Sequence, residues 1–514
     1  MRHAVTGTQM KEIDRYTMEE IGIPSMVLME RAALCTAEAV KREAGKSDRI
    51  WVVCGTGNNG ADGIAVARML FLDGFRVVLI LVGNTEHGTA EYHMQKKIAE
   101  GLELPIFPFQ DFIPGRCDVL VDALFGVGLS REIGGEYREC MEMLLEQSPK
   151  RTVAVDIPSG IHADTGAVMG IALRADVTVT FGYEKLGTLL YPGKGCAGQV
   201  LVRDIGFPES ALDRLQPEVC CYEDKDLAEI PVRKGWSNKG TYGKILLIAG
   251  SRNMSGAAYL SALAAYRMGS GLVKIMTVKE NRVILQEQMP EAILAVYDPE
   301  AATAEPERFG AFIKSQCDWA DCIVLGPGLG REAYVESLVE QVLTNAYVPI
   351  VVDADGLNTI AANPHLTQYY TENIIITPHL GEMARLTGLG IEEIRKHPVD
   401  TAKDYASRYG ITCVLKDAVT VVCRKDGAVF INTSGNSGMA KAGSGDVLTG
   451  VIAGLLALGL EEESASLGVY IHGLAGDEAR NKRGSHGILA HEIADCIPDV
   501  CMRDQRRENE YERV

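Results

Sequence analysis

The 514-residue sequence has no Cys-x-x-Cys pair, no clustered Cys/His spacing and no His-Glu-x-x-His, which removes the usual zinc sites. Its thirteen cysteines are scattered, with one adjacent pair, Cys220-Cys221, and read as reduced core thiols rather than a disulfide framework. Long apolar runs are lacking too. The longest, residues 447–460, is broken by Thr449 and several glycines and falls short of the roughly 18 residues that span a bilayer. Positive charge is in deficit, with 51 Lys and Arg against 69 Asp and Glu, a net −18. That excludes a general binder of nucleic-acid backbones, although a local site can still oppose the overall field and take a phosphorylated small molecule. No apolar signal run follows Met1-Arg2-His3-Ala4-Val5-Thr6-Gly7, so a cytoplasmic protein without membrane or nucleic-acid partners is expected.

What is present is ordinary globular composition, 46% apolar and 23% charged, at a length that suits roughly three domains or two large ones. Short β-branched runs alternate with helical stretches, the mark of α/β architecture with a mainly parallel sheet. The first series predicts strands at 49–54, 76–82, 118–122, 152–156 and 176–181. The rhythm fails over residues 206–239, which carry Pro208, Pro217 and Pro231 and read as a linker. A second series starts at 244–249 and continues through 272–278, 322–325, 350–353, 374–377, 412–415 and 420–423. Two sets of strands predict two domains, residues 1–215 and 225–505.

In the first half, the strand at 49–54 runs into Gly55-Thr56-Gly57-Asn58-Asn59-Gly60-Ala61-Asp62-Gly63 and then a helical pattern over 64–72. Such a turn presents backbone N–H groups at a positive helix end, which suits a phosphate. The spacing is not the dinucleotide fingerprint, and without Lys-Ser or Lys-Thr it is not a P-loop. The glycines alone fit a tight structural turn as well as a ligand loop; the asparagines and the aspartate favour the ligand loop, offering oxygens to a cation or a ribose. Two later strands close on an aspartate, Asp122 before Gly126-Val127-Gly128 and Asp156 before Ile157-Pro158-Ser159-Gly160. Burying a carboxylate without a partner is costly, so both are functional candidates, with helix capping as the alternative.

These three motifs resemble the YjeF amino-terminal family of NAD(P)H-hydrate epimerases, with Ala61 where that family usually has a second glycine. The resemblance implies a Rossmann-like three-layer α/β/α domain in which Asn59, Asp122 and Ser159 hold a potassium ion. It implies contacts to the hydrated dinucleotide from Asn58, Asn59, Gly60, Ala61 and Asp62, and from Gly126, Val127, Gly128, Leu129, Ser130, Arg131 and Glu132. Asp156 would lie near the reacting ring and is the candidate proton-transfer group.

In the second half, small-residue loops follow the strands at 244–249 and 322–325, the latter as Gly326-Pro327-Gly328-Leu329-Gly330. These suit close backbone approach to a ligand or a turn that merely needs glycine. Asp353-Ala354-Asp355 and Thr377-Pro378-His379-Leu380-Gly381-Glu382 close two more strands; His379 fits a structural role or a ligand role equally, and Glu382 is placed to support a water-bound magnesium ion. The sharpest signal is Lys441-Ala442-Gly443-Ser444-Gly445-Asp446 at the mouth of the apolar helical run 447–460. Converging N–H groups there form an anion hole for a transferring phosphoryl group, and Asp446 can accept a hydroxyl proton.

This second set resembles the ribokinase-like superfamily, and more closely the YjeF carboxy-terminal family of ADP-dependent NAD(P)H-hydrate dehydratases. By that resemblance Lys416, Asp417, Ala418, Val419, Thr420 and Gly445 bind ADP, with magnesium as the accompanying ion. Ala257, Gly328, Gly330, His379 and Asp446 bind the hydrate, and Asp446 is catalytic. Asp417 stands where glycine is usual and Ser444 where threonine is common. The expectation is a two-domain α/β repair enzyme, a homo-oligomer, that epimerises hydrated NADH and NADPH and dehydrates the S form at the expense of ADP, giving NAD(P)H, AMP and phosphate. Two alternatives remain at this point: a vitamin or sugar kinase fused to a nucleotide-binding domain, and a nucleotide-sensing binding protein.

Overall fold

The computed structural model describes residues 1–511, with side chains described through Met502. The chain divides into two compact units, His3–Pro217 and Glu218–Val514 together with Met1–Arg2. Both are α/β. Among the described residues no helix is long and apolar enough to cross a membrane.

The first unit carries a seven-stranded, wholly parallel sheet. Its spatial order is Ile106–Pro108, Arg76–Leu81, Arg49–Cys54, Val119–Ala123, Arg151–Val155, Val177–Phe181 and Gln199–Arg203. Both faces are covered, as a parallel sheet requires. Along Arg49–Cys54, Ile50, Val52 and Cys54 pack with the helices Ser25–Glu43 and Asn58–Leu72, while Trp51 and Val53 pack on the other side with Cys140, Met141 and Leu144 of the helix Gly135–Glu146. The chain winds outward in opposite directions from Arg49–Cys54 and Val119–Ala123. The crevice beyond the carboxyl ends of these two neighbours is therefore the topological switch point, where such sheets bind ligands.

The second unit repeats the plan with its own strands. From Lys244–Ile248 the sheet runs one way through Leu272–Val278 to Ile293–Tyr297. On the other side it runs through Cys322–Leu325, Ile350–Val352, Ile374–Ile376 and Thr412–Leu415, all parallel. Two antiparallel pairings follow, Thr412–Leu415 with Val421–Cys423 and the latter with Val429–Ile431, and Val429–Ile431 then pairs in parallel with Val219–Cys221. Ile245 and Leu247 face the helices Ser255–Met268, Ser444–Ala457 and Ser464–Arg483; Leu246 and Ile248, on the opposite face, are equally buried.

Two sequence expectations need correction. Residues 206–239 are not a bare linker: they hold the helix Glu209–Leu215, the strand Val219–Cys221 and a short 3-10 turn at Asp224–Glu229. The prolines hid them by breaking each periodic run to a few residues. Several short strands, Ile106–Pro108, Gln199–Arg203 and Val429–Ile431 among them, were also unexpected; the first two lie nearer the sheet edges, where a half-exposed pattern is weak.

The helix after the first strand starts at Asn58, not Ile64. Asn58 and Asn59 thus occupy its first turn and Asp62 begins its second, leaving a loop of only Gly55-Thr56-Gly57. The glycines explain how so short a turn is made: a Cβ at Gly60 would lie 1.8 Å from the Gly55 carbonyl oxygen, and one at Gly63 would lie 2.4 Å from the Ala123 Cβ. Alanine at a helical position is otherwise favoured over glycine by about 1 kcal/mol, but overpacking against backbone costs about 1–3 kcal/mol or more. Gly60→Ala is expected to lower stability by roughly 1 kcal/mol or more, measured by denaturant unfolding; an unchanged or raised midpoint would show that the helix need not sit so close.

Candidate functional site

At the first switch point lies a cavity of about 510 Å³. The start of the helix Asn58–Leu72 contributes Asn58, Asn59 and Asp62, and the loop after Val119–Ala123 contributes Gly126, Val127, Gly128 and Leu129. Ser130, Arg131 and Glu132 are exposed and lie outside this lining; Gly60 and Ala61 are buried beneath it, Ala61 within the apolar core. Asp156 is at the cavity floor with a left-handed backbone, φ +68°, a strained conformation for a residue other than glycine. Lys185 Nζ, almost wholly buried, donates to Asp156 Oδ1 at 2.6 Å and to Thr180 Oγ1 at 2.9 Å, and Thr180 Oγ1 donates to Asp156 Oδ1 at 3.0 Å.

Two further carboxylates line the cavity. Asp14, from the helix Gly7–Arg15, is pushed up to about 6, mainly by burial, with Lys185 opposing and Asp156 adding to the rise. Burial raises Asp62 well above the ordinary carboxylate range, and Asp156 and Asp14 add to it. Sequence reasoning missed Asp14 and Lys185. Neither sits beside a glycine loop, and the two are brought together only by the fold.

Behind the cavity, Asp122 is fully buried. It accepts from Ser159 Oγ at 2.5 Å, Ser159 N at 2.8 Å and Leu124 N at 3.3 Å. Burial raises it to about 6 despite these bonds, and no Lys or Arg pairs with it among the described residues. The Asn59 side chain packs against Gly126, where an added Cβ would lie 3.2 Å from its Oδ1. A buried carboxylate without a cationic partner, beside a hydroxyl and an amide, is a donor set that fits an alkali cation: hard oxygens and an uncompensated charge.

In the second unit, the Gly250 and Gly326 loops cross at the switch point, with Gly250 N donating to the Pro327 carbonyl at 2.8 Å. Gly328 is left-handed, and a Cβ there would lie 2.9 Å from the Ala257 Cβ; Gly330 N donates to Asp355 Oδ2 at 2.8 Å. The helix Ser444–Ala457 begins after Gly443, at φ +92°, and carries Asp446 in its first turn. Lys416 Nζ donates to Asp353 Oδ1 at 2.7 Å, while Thr449 Oγ1 donates to Asp353 Oδ2 at 2.9 Å. Burial works against the Lys416 ammonium, but Asp353, Glu382 and Asp446 more than offset it and hold the group above its ordinary value. Of the other predicted nucleotide residues, Asp417 and Ala418 are exposed at the turn between Thr412–Leu415 and Val421–Cys423, Val419 is buried and Thr420 half-buried. A Cβ at Gly445 would lie 3.4 Å from Lys416 Nζ, so the predicted Lys416 and Gly445 do meet.

Asp446 is pushed up to about 7, chiefly by burial and then by Asp353 and Asp355, with Lys416 opposing. Glu382 is likewise pushed up to about 7 by burial. His379 caps the helix Leu380–Thr387: its Nδ1 accepts from Gly381 N at 2.9 Å, and Glu382 Oε2 accepts from His379 N at 2.9 Å. Its ring is therefore committed to a structural task on one nitrogen. Among the described residues no group of three His, Cys, Asp or Glu is arranged to hold a metal ion. Magnesium fits here through one or two carboxylates completed by phosphate oxygens and water, its usual mode.

Residues 245–499 match the family model described as NAD(P)H-hydrate dehydratase, and residues 25–187 match that of the YjeF-related protein N-terminus. The chain is 39% identical over 513 residues to the bifunctional NAD(P)H-hydrate repair enzyme of Thermofilum pendens, across 96% of this chain and 94% of that one. A protein of the same description from Moorella thermoacetica is 36% identical across 97% and 96%. Among solved structures, a ribokinase-like superfamily protein from Enterococcus faecalis is similar with a TM-score of 0.50 at 29% identity, covering 56% of this chain and 96% of that one.

The buried carboxylates make stability depend on pH in a defined direction. Asp122 binds its proton more tightly folded than unfolded, so its contribution is fully present below about pH 4 and is lost as pH rises through about 6. Asp122→Asn removes that loss. In buffer free of alkali cations, stability of the variant relative to the parent should rise by on the order of 1 kcal/mol between pH 5 and 8; a difference that does not change with pH would show that Asp122 is not buried as an unpaired acid.

Proposed function

The chain belongs to the family of bifunctional NAD(P)H-hydrate repair enzymes, and from that we propose a division of labour. The His3–Pro217 unit interconverts the two epimers of hydrated NADH or NADPH at carbon 6 of the nicotinamide ring. The Glu218–Val514 unit dehydrates the S form at the expense of ADP. Water has added across a ring double bond in these substrates, and hydroxide is a poor leaving group at neutral pH.

The dehydratase chemistry is carried by Asp446 beside the glycine-rich helix start. The hydroxyl oxygen on carbon 6 attacks the terminal phosphorus of ADP and Asp446 takes the hydroxyl proton, with AMP leaving. The carbon–oxygen bond then breaks, phosphate departs, and the lone pair of the ring nitrogen forms an iminium cation. Loss of the proton on carbon 5 restores the double bond of NAD(P)H. The N–H groups at 443–445 face the charge that develops on the phosphoryl group. Lys416, fixed by Asp353, supplies positive charge beside Gly445. Residues 416–420 form the nucleotide edge, and Ala257, Gly328, Gly330 and His379 the hydrate edge. Magnesium, when bound, neutralises phosphate charge. A dehydratase selective for one epimer strands the other, which is why the two activities share a chain.

In the epimerase unit Asn58, Asn59 and Asp62, with residues 126–129, bind the hydrated dinucleotide, and Asp156 moves a proton at the carbon 6 oxygen. Asn59, Asp122 and Ser159 hold potassium, which supplies the positive charge that Asp122 lacks. The acidic, cation-poor floor of this cavity suits a ring that passes through a positively charged state.

Asp446 works as a base only when deprotonated. The kcat/KM of dehydration should therefore rise with pH and level off above about 7, a limb belonging to the coupled Asp446–Glu382–Lys416 cluster. Asp446→Asn keeps the size and the helix cap but removes the base, so turnover should fall by on the order of a hundredfold with epimer interconversion unchanged. A folded Asp446→Asn protein that dehydrates within a few-fold of the parent would remove Asp446 as the base.

A further inference from the structure

A route that inverts carbon 6 by losing the hydroxyl from one face of the ring and admitting water on the other sets a requirement that one acid cannot meet: a proton must be delivered on the first face and taken up on the second. Asp156 supplies one proton-handling group. The cavity lining carries a second. Asp14 projects from the helix Gly7–Arg15, whose Met10 and Ile13 are anchored in the core, and it lines the same cavity as Asp62, Asp156 and Lys185. Asp156 is committed to Lys185 and Thr180. Asp14 and Asp62, by contrast, have no hydrogen-bond partner among the described residues.

Resting on the epimerase reading above, we propose that Asp14 is the second catalytic residue of epimerisation and that the reaction exchanges the substrate oxygen with water. Asp14 as the acid protonates the hydroxyl on its face. The carbon 6–oxygen bond breaks, water leaves, and the ring nitrogen's lone pair forms a carbon–nitrogen double bond. A water on the opposite face adds to carbon 6, its oxygen pair forming the new bond, the ring nitrogen recovering its lone pair, and its extra proton passing to Asp156. The reverse inversion exchanges the two roles. No oxidant or cofactor is consumed, and one solvent oxygen replaces one substrate oxygen.

The surroundings suit both stages. Burial keeps Asp14 protonated to about pH 6 and Asp62 well beyond the ordinary range, so the floor holds an acid before the bond breaks. Once Asp14 has given up its proton, its carboxylate faces the cation it has created. Four ionisable groups, Asp14, Asp62, Asp156 and Lys185, meet here with a single positive charge among them, and Lys11 lines the same cavity. A site that had only to grip an anionic dinucleotide has little use for three carboxylates facing two lysines; a site that passes through a ring cation does.

The test uses the full-length protein, hydrated NADH of one epimer and water enriched in oxygen-18, without ADP. Epimers are separated by chromatography and weighed by mass spectrometry against a protein-free control. Each inverted molecule is expected to gain one solvent oxygen. Asp14→Asn should lower kcat for inversion by on the order of a hundredfold with KM within a few-fold, and Asp14→Glu should restore part of it; ADP-dependent dehydration and the melting temperature report folding. Inversion that keeps the original oxygen, or an Asp14→Asn protein that inverts at the parental rate, would overturn the proposal while leaving the epimerase reading intact. Absence of inversion by the parent protein would instead overturn the epimerase reading itself, and this proposal with it.

Discussion

Each crevice in this protein is organised by one lysine, buried in the first and partly buried in the second, that captures one strand-end aspartate. Lys185 holds Asp156 at 2.6 Å in the first unit and Lys416 holds Asp353 at 2.7 Å in the second. Removing one partner of such a pair leaves a buried, uncompensated charge, which costs about 3–5 kcal/mol. Each pair therefore fixes one carboxylate in place. It also uses up the local positive charge. The remaining acids, Asp14 and Asp62 in one crevice, Asp446 and Glu382 in the other, are left to meet burial largely by holding protons. Groups that hold and release protons near neutral pH are what acid–base chemistry on a hydroxyl requires.

The packing of the glycine turns serves this arrangement. Gly55, Gly60 and Gly63 are demanded by the close approach of helix to sheet, since a Cβ at each would strike Leu124, Gly55 or Ala123. That close seat puts the start of the helix, with Asn59, against the loop carrying Gly126. Structural turn and cavity wall are thus one feature: the glycines make the approach and the polar side chains between them line the cavity.

Much of this was legible in the sequence because it is local. The strands Arg49–Cys54, Leu272–Val278, Cys322–Leu325 and Thr412–Leu415 fall where β-branched runs place them, and the small-residue stretch before Asp446 reads directly as a helix mouth. What was not legible depends on long-range geometry. Lys185 is 29 residues from Asp156 and Lys416 is 63 from Asp353, so no spacing rule pairs them. Asp14 lies in a helix with no glycine signal, and nothing short of the fold brings it to the cavity floor. His379 illustrates the converse: its position after a strand suggests a ligand, yet Nδ1 is spent on capping the next helix.

The account turns on the two lysine–aspartate pairs serving separate reactions, and one measurement tests that most directly. Parent, Lys185→Met and Lys416→Met proteins receive an epimer mixture of hydrated NADH with ADP and magnesium, and regenerated NADH is followed by absorbance while residual epimers are separated by chromatography. The parent should consume both epimers. Lys185→Met should consume the S form at the parental rate and then slow to the spontaneous rate of interconversion, whereas Lys416→Met should produce little NADH yet bring the epimers to equilibrium. Consumption of both epimers at the parental rate by a folded Lys185→Met protein, or loss of both activities in either single variant, would contradict it.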